Sequence, residues 1–238
     1  MIAEKTKKRY NGSYRILIKI AQTRRKNIRN EECTMAVFIN GRDLTVEEVI
    51  RVCRNNEEVQ LTEEAVAAVK KARAYIEKKL EEKAVIYGLT TGFGKFANVV
   101  IDNDQTEQLQ RNLIISHTCA MGNPYPVHYV RAAMLLRCNA LARGNSGIRL
   151  ETLQTLLDML NKGVHPIIPE KGSLGASGDL APLSHIALGL IGEGKVEYKG
   201  EVVDAKVAMA EAGITPVVLA AKEGLALNNG TQMMTAVG

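Results

Sequence analysis

Tryptophan is absent from this chain of 238 residues, and aromatic side chains make up only 4% of it. That scarcity, with abundant Ala and Leu, favours helices over a β-sandwich. Long apolar runs are also missing. None reaches the roughly 20 residues of a membrane span, and no apolar signal-peptide core lies near the start. The four cysteines, Cys33, Cys53, Cys119 and Cys138, are far apart, with no CxxC pair and no metal-ligand spacing. They are read as reduced thiols of a cytoplasmic protein. The sequons at Asn11 and Asn229 then carry no glycosylation meaning. The four histidines, His117, His128, His165 and His185, are not spaced as a metal set either, so no metal is expected.

The net charge of +5 is unevenly spread. Residues 1–34 hold ten Lys or Arg and three Glu, whereas the remainder holds 21 basic and 23 acidic residues. The basicity belongs to an N-terminal extension, and no nucleic-acid or membrane partner is inferred from it. Tyr14 to Ile20 reads as a short strand in this extension. The extension is otherwise expected to be poorly ordered, and an orderly domain is expected over 35–238.

From Met35 onward the pattern is regular. Val37 to Asn40 suggests a short strand. Thr45 with Glu48 forms a capping-box signature for a helix to about Asn55. Thr62 opens a second helix carrying Val66, Val69, Ile76 and Leu80. Asp104 and Glu107 start another, with His117 near its end. A lone helical histidine is usually structural or a C-terminal cap. Met134 to Arg149 reads as a helix closed by Gly-Asn-Ser-Gly, and Leu150 to Leu160 as the next. An apolar helix runs beyond Leu183 to about Leu190. Lys195 to Val203 reads as a β-hairpin about Lys199-Gly200, and Asp204 as the cap of a short helix. Residues 87–97, Tyr-Gly-Leu-Thr-Thr-Gly-Phe-Gly-Lys-Phe-Ala, are no phosphate loop. The spacing would need Gly at Leu89 and Ser or Thr at Phe96.

The chemistry concentrates at 172–183, Gly-Ser-Leu-Gly-Ala-Ser-Gly-Asp-Leu-Ala-Pro-Leu. Alone, Ala176-Ser177-Gly178 reads as a turn before an N-capped helix. It also holds what a chain needs to build its own electrophile. The nitrogen of Gly178 can attack the carbonyl carbon of Ala176. Loss of one water closes a five-membered ring, and loss of a second from Ser177 leaves an exocyclic methylene. Gly178 has no Cβ, so its nitrogen can approach closely. Ala176 leaves the attacked carbonyl open, and Asp179 stands next to the triplet to move protons.

The twelve-residue context resembles the cofactor-forming segment of the aromatic amino acid ammonia-lyases and related aminomutases. The resemblance covers about Met35 to Gly238 in five blocks. It implies a mainly α fold, the N-terminal prosthetic-group domain of a fumarase/aspartase-like architecture with small β-hairpins. It implies a 4-methylidene-imidazol-5-one (MIO) group formed from Ala176, Ser177 and Gly178, and no metal. By the same resemblance, Tyr87 is the catalytic base, His117 binds substrate, Asn229 contacts the ring and Asp179 supports ring formation. Ser116-His117 and Gln232 are most similar to the histidine ammonia-lyases, which convert L-histidine to urocanate. Tyrosine or phenylalanine lyases and aminomutases are the alternative.

Three residues depart from the pattern: Thr90 stands for Asn, Ala120 for Gly, and Asn228 for an aliphatic residue. The family's later half supplies a long-helix core, further site residues and a homotetramer. This chain is expected to be the N-terminal portion, and an inactive fragment or assembly subunit is the remaining alternative.

Overall fold

The computed structural model describes residues 36–92, 105–174 and 178–238. The strand at Tyr14 to Ile20, the basic extension, the helix start at Asp104, and Ala176 and Ser177 lie outside the described residues.

Strand β1 (Val37–Ile39) buries Val37 and Ile39 and exposes Phe38. It pairs in parallel with β2 (Val59–Leu61), Val37 opposite Val59. Helix α1 (Val46–Asn55) connects them. The Thr45 hydroxyl accepts from the Glu48 amide at 3.3 Å, and the Thr45 amide donates to the Glu48 carboxylate at 2.9 Å, so two orphan donors are satisfied reciprocally. Asn161 replaces a third strand by bonding both the amide and the carbonyl of Val59, each at 2.9 Å. Helix α2 (Glu63–Glu81) starts where the Thr62 hydroxyl accepts from the Ala65 amide at 3.1 Å.

Helix α3 (Thr106–His117) leads to β3 (Met121–Pro124) and then to α4 (Val127–Ala142). Helix α4 is buried on nearly every face and packs against α1, α2, α5 (Leu150–Asn161) and α9 (Gln232–Val237). Its start corrects the expected Met134, while its end agrees with closure by Gly-Asn-Ser-Gly. It begins after Pro126, with no side-chain cap to announce it. It ends before Gly144, whose φ of +73° is left-handed and whose Cβ would lie 2.6 Å from the Ala68 backbone. The chain turns there because α2 presses against it.

Buried Arg131 of α4 collects carbonyls from two helix ends. It donates to Val52 of α1 at 2.8 and 3.2 Å and to Leu160 of α5 at 2.9 Å. These are carbonyls that a helix C-terminus leaves unpaired. Arg131 also donates to His165 Nε2 at 2.9 Å, which fixes the proton on Nδ1, 2.7 Å from Glu197. His165 is therefore structural. Burial holds its pKa below the usual imidazole range, against the pull of Glu197.

His165 and Pro166 form β4, which pairs with β6 (Lys195–Tyr198), itself paired with β7 (Glu201–Asp204). The β6–β7 hairpin turns through Lys199 and Gly200, both at positive φ, as a two-residue turn of this hand requires. Helix α6 (Leu180–Leu190) starts earlier than expected. Pro182 sits in its first turn, where a missing N–H is harmless. Helix α7 (Ala205–Glu211) follows Asp204, whose side chain pairs with Lys195 at 3.0 Å and makes no cap bond. Helix α8 (Glu223–Asn228) and α9 close the described fold.

Candidate functional site

Sheet register brings two of the expected segments to one end. Strand β3 runs antiparallel to β5 (Pro169–Lys171), with Met121 opposite Lys171. The chain leaving His117 therefore lies beside the chain entering the Ala176-Ser177-Gly178 triplet. Contact continues one step further. A Cβ on Gly172 would lie 2.8 Å from the Ala120 Cα.

His117 is the last residue of α3 and is half-buried. Its Nδ1 lies 2.9 Å from the Leu113 carbonyl, which can only accept, so Nδ1 carries the proton. The Ser116 hydroxyl donates to the same carbonyl at 2.9 Å and lies 3.1 Å from Nδ1. This leaves Nε2 with no hydrogen-bond partner among the described residues. The arrangement presents Nε2 on a ring oriented by its own helix.

Gly178 has φ +93°, and a Cβ there would overlap the Gly230 carbonyl oxygen and stand 2.9 Å from its carbon. The neighbouring Asp179 amide donates to that same oxygen at 2.6 Å. The Gly178 carbonyl accepts from the Ser173 hydroxyl at 3.3 Å, so the two ends of the 173–178 segment are tied across the triplet. Asp179 corrects the capping expectation. It stands at the N-cap of α6, but its side chain makes no cap bond there. It accepts instead from the Met234 amide at 2.8 Å, satisfying an orphan donor in the first turn of α9. Asp179 thus fastens the triplet to α9.

Asn229 terminates α8 and its side chain is exposed. Six residues are too few for a helix to hold itself, and α8 is held from outside at both ends. At its start the Gly224 amide donates to Gln110 of α3 at 2.8 Å. The Glu223 carboxylate, 0% exposed, accepts from the Ala220 amide at 2.8 Å and from Arg149 at 2.6 to 3.0 Å. At its end Arg137 of α4 donates to the Asn229 carbonyl at 3.0 Å, to Gln232 Oε1 at 2.8 Å, and to the Ala226 carbonyl. Asn228 is buried with its amide 3.4 Å from Ser184 Oγ. Its Oδ1 has no partner among the described residues.

Tyr87 sits on a turn of its own, 54% exposed. Thr90 closes that turn. Its hydroxyl accepts from the Ile86 amide at 2.9 Å and donates to the Ala84 carbonyl at 2.7 Å. Thr91 accepts from the Gly88 amide at 3.3 Å.

Hydrogen bonds thus join Asp179 to Gly230 and Met234, and Gly178 packs directly on Gly230. Helix α3, carrying His117, packs against both α6 and α8. Among the described residues no cluster of His, Cys, Asp or Glu is arranged to hold a metal. Two surface clefts, of about 420 and 790 Å3, border Arg73 and Arg149. Both guanidiniums are already engaged, Arg73 with Glu77 and the Gly147 and Ala221 carbonyls, Arg149 with Glu223 and Glu151.

Sequence reading missed Gln110, Arg137 and the Arg149–Glu223 pair. The one signal for Arg137 is its place among Leu135, Leu136 and Cys138 on a helix otherwise destined for the core.

Comparison with known proteins gives a concordant result. The family model described as aromatic amino acid lyase matches residues 44–238. Histidine ammonia-lyase of Alkaliphilus oremlandii is 60% identical over 202 residues, covering 85% of this chain and 40% of the relative. Among solved structures, histidine ammonia-lyase from Trypanosoma cruzi superposes with a TM-score of 0.79 at 42% identity, over 85% of this chain and 39% of that one. Ergothionase from Treponema denticola superposes with a TM-score of 0.82 at 37% identity, over 85% and 41%. The chain spans about 40% of the length of the curated relatives it matches.

Proposed function

This chain belongs to the aromatic amino acid lyase family, with the helical ammonia-lyase fold, and on that premise we propose that it carries the electrophile-forming and histidine-recognising part of a histidine ammonia-lyase. The reaction is elimination of ammonia from L-histidine to give urocanate. The observation that carries the reading is the cradle at Gly178. The backbone there is left-handed and packed so closely on Gly230 that only glycine fits. With no Cβ and with its backbone held against Gly230, Gly178 offers its nitrogen unobstructed from a fixed place, as closure of Ala176-Ser177-Gly178 into MIO requires. The residues present therefore fit the group. Once formed, MIO supplies an electrophile that converts the substrate's amino group into a leaving group.

The other roles fall to this chain's own side chains. Tyr87 takes the β-proton, and the electrons of that C–H bond form the double bond as the C–N bond breaks. His117 accepts the substrate's imidazole N–H at Nε2. Identity to histidine ammonia-lyases favours histidine over tyrosine or phenylalanine as substrate. Asn229 borders the ring, and Asp179 holds the segment in place. A small-molecule amino acid is the partner, and the homotetramer remains a proposal for the whole protein, as does a cytoplasmic location.

The intact mass of the purified chain tests the reading. A deficit of two waters, mapped to the peptide containing Ala176 to Gly178 and absent from Ser177→Ala, is expected. An unmodified mass refutes ring formation. L-Histidine, and not L-tyrosine, should shift the ring resonances of His117. The reverse selectivity refutes the substrate assignment.

A further inference from the structure

Arg137 stands in the middle of α4 and is itself buried. Burial lowers its pKa to about 10, so it remains a cation at neutral pH. It forms no ion pair among the described residues. Among the described residues, every hydrogen bond it makes goes to one stretch, Ala226 to Gln232. A buried cation without a counter-ion is a poor way to stabilise a core, and an apolar side chain of similar volume generally does better. The guanidinium therefore calls for another explanation.

Geometry supplies it. Arg137 holds the Asn229 carbonyl at 3.0 Å. The next carbonyl, Gly230, receives the Asp179 amide at 2.6 Å and closes over Gly178. Gly230 is wedged between the two, since a Cβ on it would overlap both Arg137 Nη1 and Gln232 Oε1. Guanidinium, Gly230 and Gly178 thus stand in direct succession. A planar fork of fixed donors can hold three acceptors on one turn, which a single ammonium cannot do with the same geometry.

We infer that Arg137 is a positioning residue that sets the 226–232 turn, so that the Gly230 carbonyl keeps Gly178 in the place from which its nitrogen closes the ring. This inference rests on the ring-forming reading above. It touches no reacting atom and acts through Gly230.

The test compares the full chain with Arg137→Lys, Arg137→Gln and Gln232→Met, using peptide-resolved hydrogen exchange and intact mass. For Arg137→Gln, exchange at Asp179 and across 226–234 should rise on the order of tenfold or more, as expected when hydrogen bonds to a charged group are lost. The fraction of molecules lacking two waters should fall with it. Arg137→Lys should restore part of both. Gln232→Met removes one acceptor and should move the same peptides less, which keeps the test decisive if Arg137→Gln fails to fold.

Unchanged exchange at Asp179 and 226–234 in the folded variants overturns the inference. So does a rise spread evenly over α4 and the core, which marks a purely stabilising role. If the unsubstituted chain keeps both waters, the ring-forming reading fails, and exchange at Asp179 still decides whether Arg137 holds the turn.

Discussion

Replacing Gly178 by alanine tests the cradle most directly. Two effects add. The first is backbone strain. Gly178 has φ +93°, and a non-glycine residue in such a region is destabilised by about 1–3 kcal/mol. The second is overlap. The new methyl meets the Gly230 carbonyl, which is backbone and is held on one side by the Asp179 amide. Relieving that overlap costs about 1–3 kcal/mol by analogy with overpacked cores. The sum, about 2–6 kcal/mol, corresponds to a fall in Tm of roughly 4–24 °C for a domain of this size.

Gly200 is the control. Its φ of +86° is similar, but nothing lies within 4 Å of its would-be Cβ. Gly200→Ala therefore reports strain alone, and the difference between the two variants reports the overlap. Thermal melts followed by circular dichroism give both values, and intact mass reports whether Gly178→Ala still loses two waters. If Gly178→Ala melts no lower than Gly200→Ala, the close approach to Gly230 is wrong. If it also dehydrates normally, the cradle has no part in ring closure.

Further outcomes follow from other parts of the structure. His117→Leu removes the Nε2 acceptor and should abolish the response to L-histidine while leaving the two-water deficit intact; unchanged histidine binding by NMR titration rejects the role given to that imidazole. Glu223→Gln leaves the Arg149 cation without its buried partner and should lower stability by about 3 kcal/mol, read as a urea-midpoint shift; a change near zero means that the α8 anchor lies elsewhere. His165 has a folded pKa depressed by burial, so its contribution is present above the unfolded value of about 6.5 and is lost as pH falls. Stability should therefore decline from pH 7 to 5, and less steeply in His165→Gln; an equal slope in both refutes the assignment.

Local signals were legible. The Thr45 and Thr62 caps, the Lys199-Gly200 hairpin and the helix around Leu153 and Leu157 each depend on residues a few positions apart, and each appears in the structure. The errors have a common cause. The beginning of α4 was missed because Pro126 offers no side-chain cap, whereas its end before Gly144 follows the Gly-Asn-Ser-Gly signal. Asp179 looked like the cap of the helix that follows it, yet its carboxylate serves Met234, 55 positions later. A cap residue in a sequence shows that an oxygen is available, and only the fold decides which orphan amide takes it. The triplet was legible as chemistry, but nothing local announced the Gly230 carbonyl packed on Gly178.

That division explains why α8 and its neighbours carry so much buried polarity. A helix of six residues followed by the Asn229-Gly230 turn has little stability of its own, yet the Gly230 carbonyl must stand within hydrogen-bonding distance of Asp179. Apolar contacts are non-directional and would let the turn slide. Directional bonds to Gln110, Arg137 and Glu223 define both ends of α8, and Arg137 Nε and Asn228 Oδ1, unpartnered among the described residues, show that polar satisfaction was not maximised there. Buried groups left unsatisfied destabilise the native state, so this region gives up stability for placement. The same reasoning locates the sensitive positions. Substitutions on the solvent face of α2 should pass unnoticed, whereas any change that lets the 226–232 turn move by a fraction of an ångström should reach Gly178, because Gly230 leaves no space to absorb it.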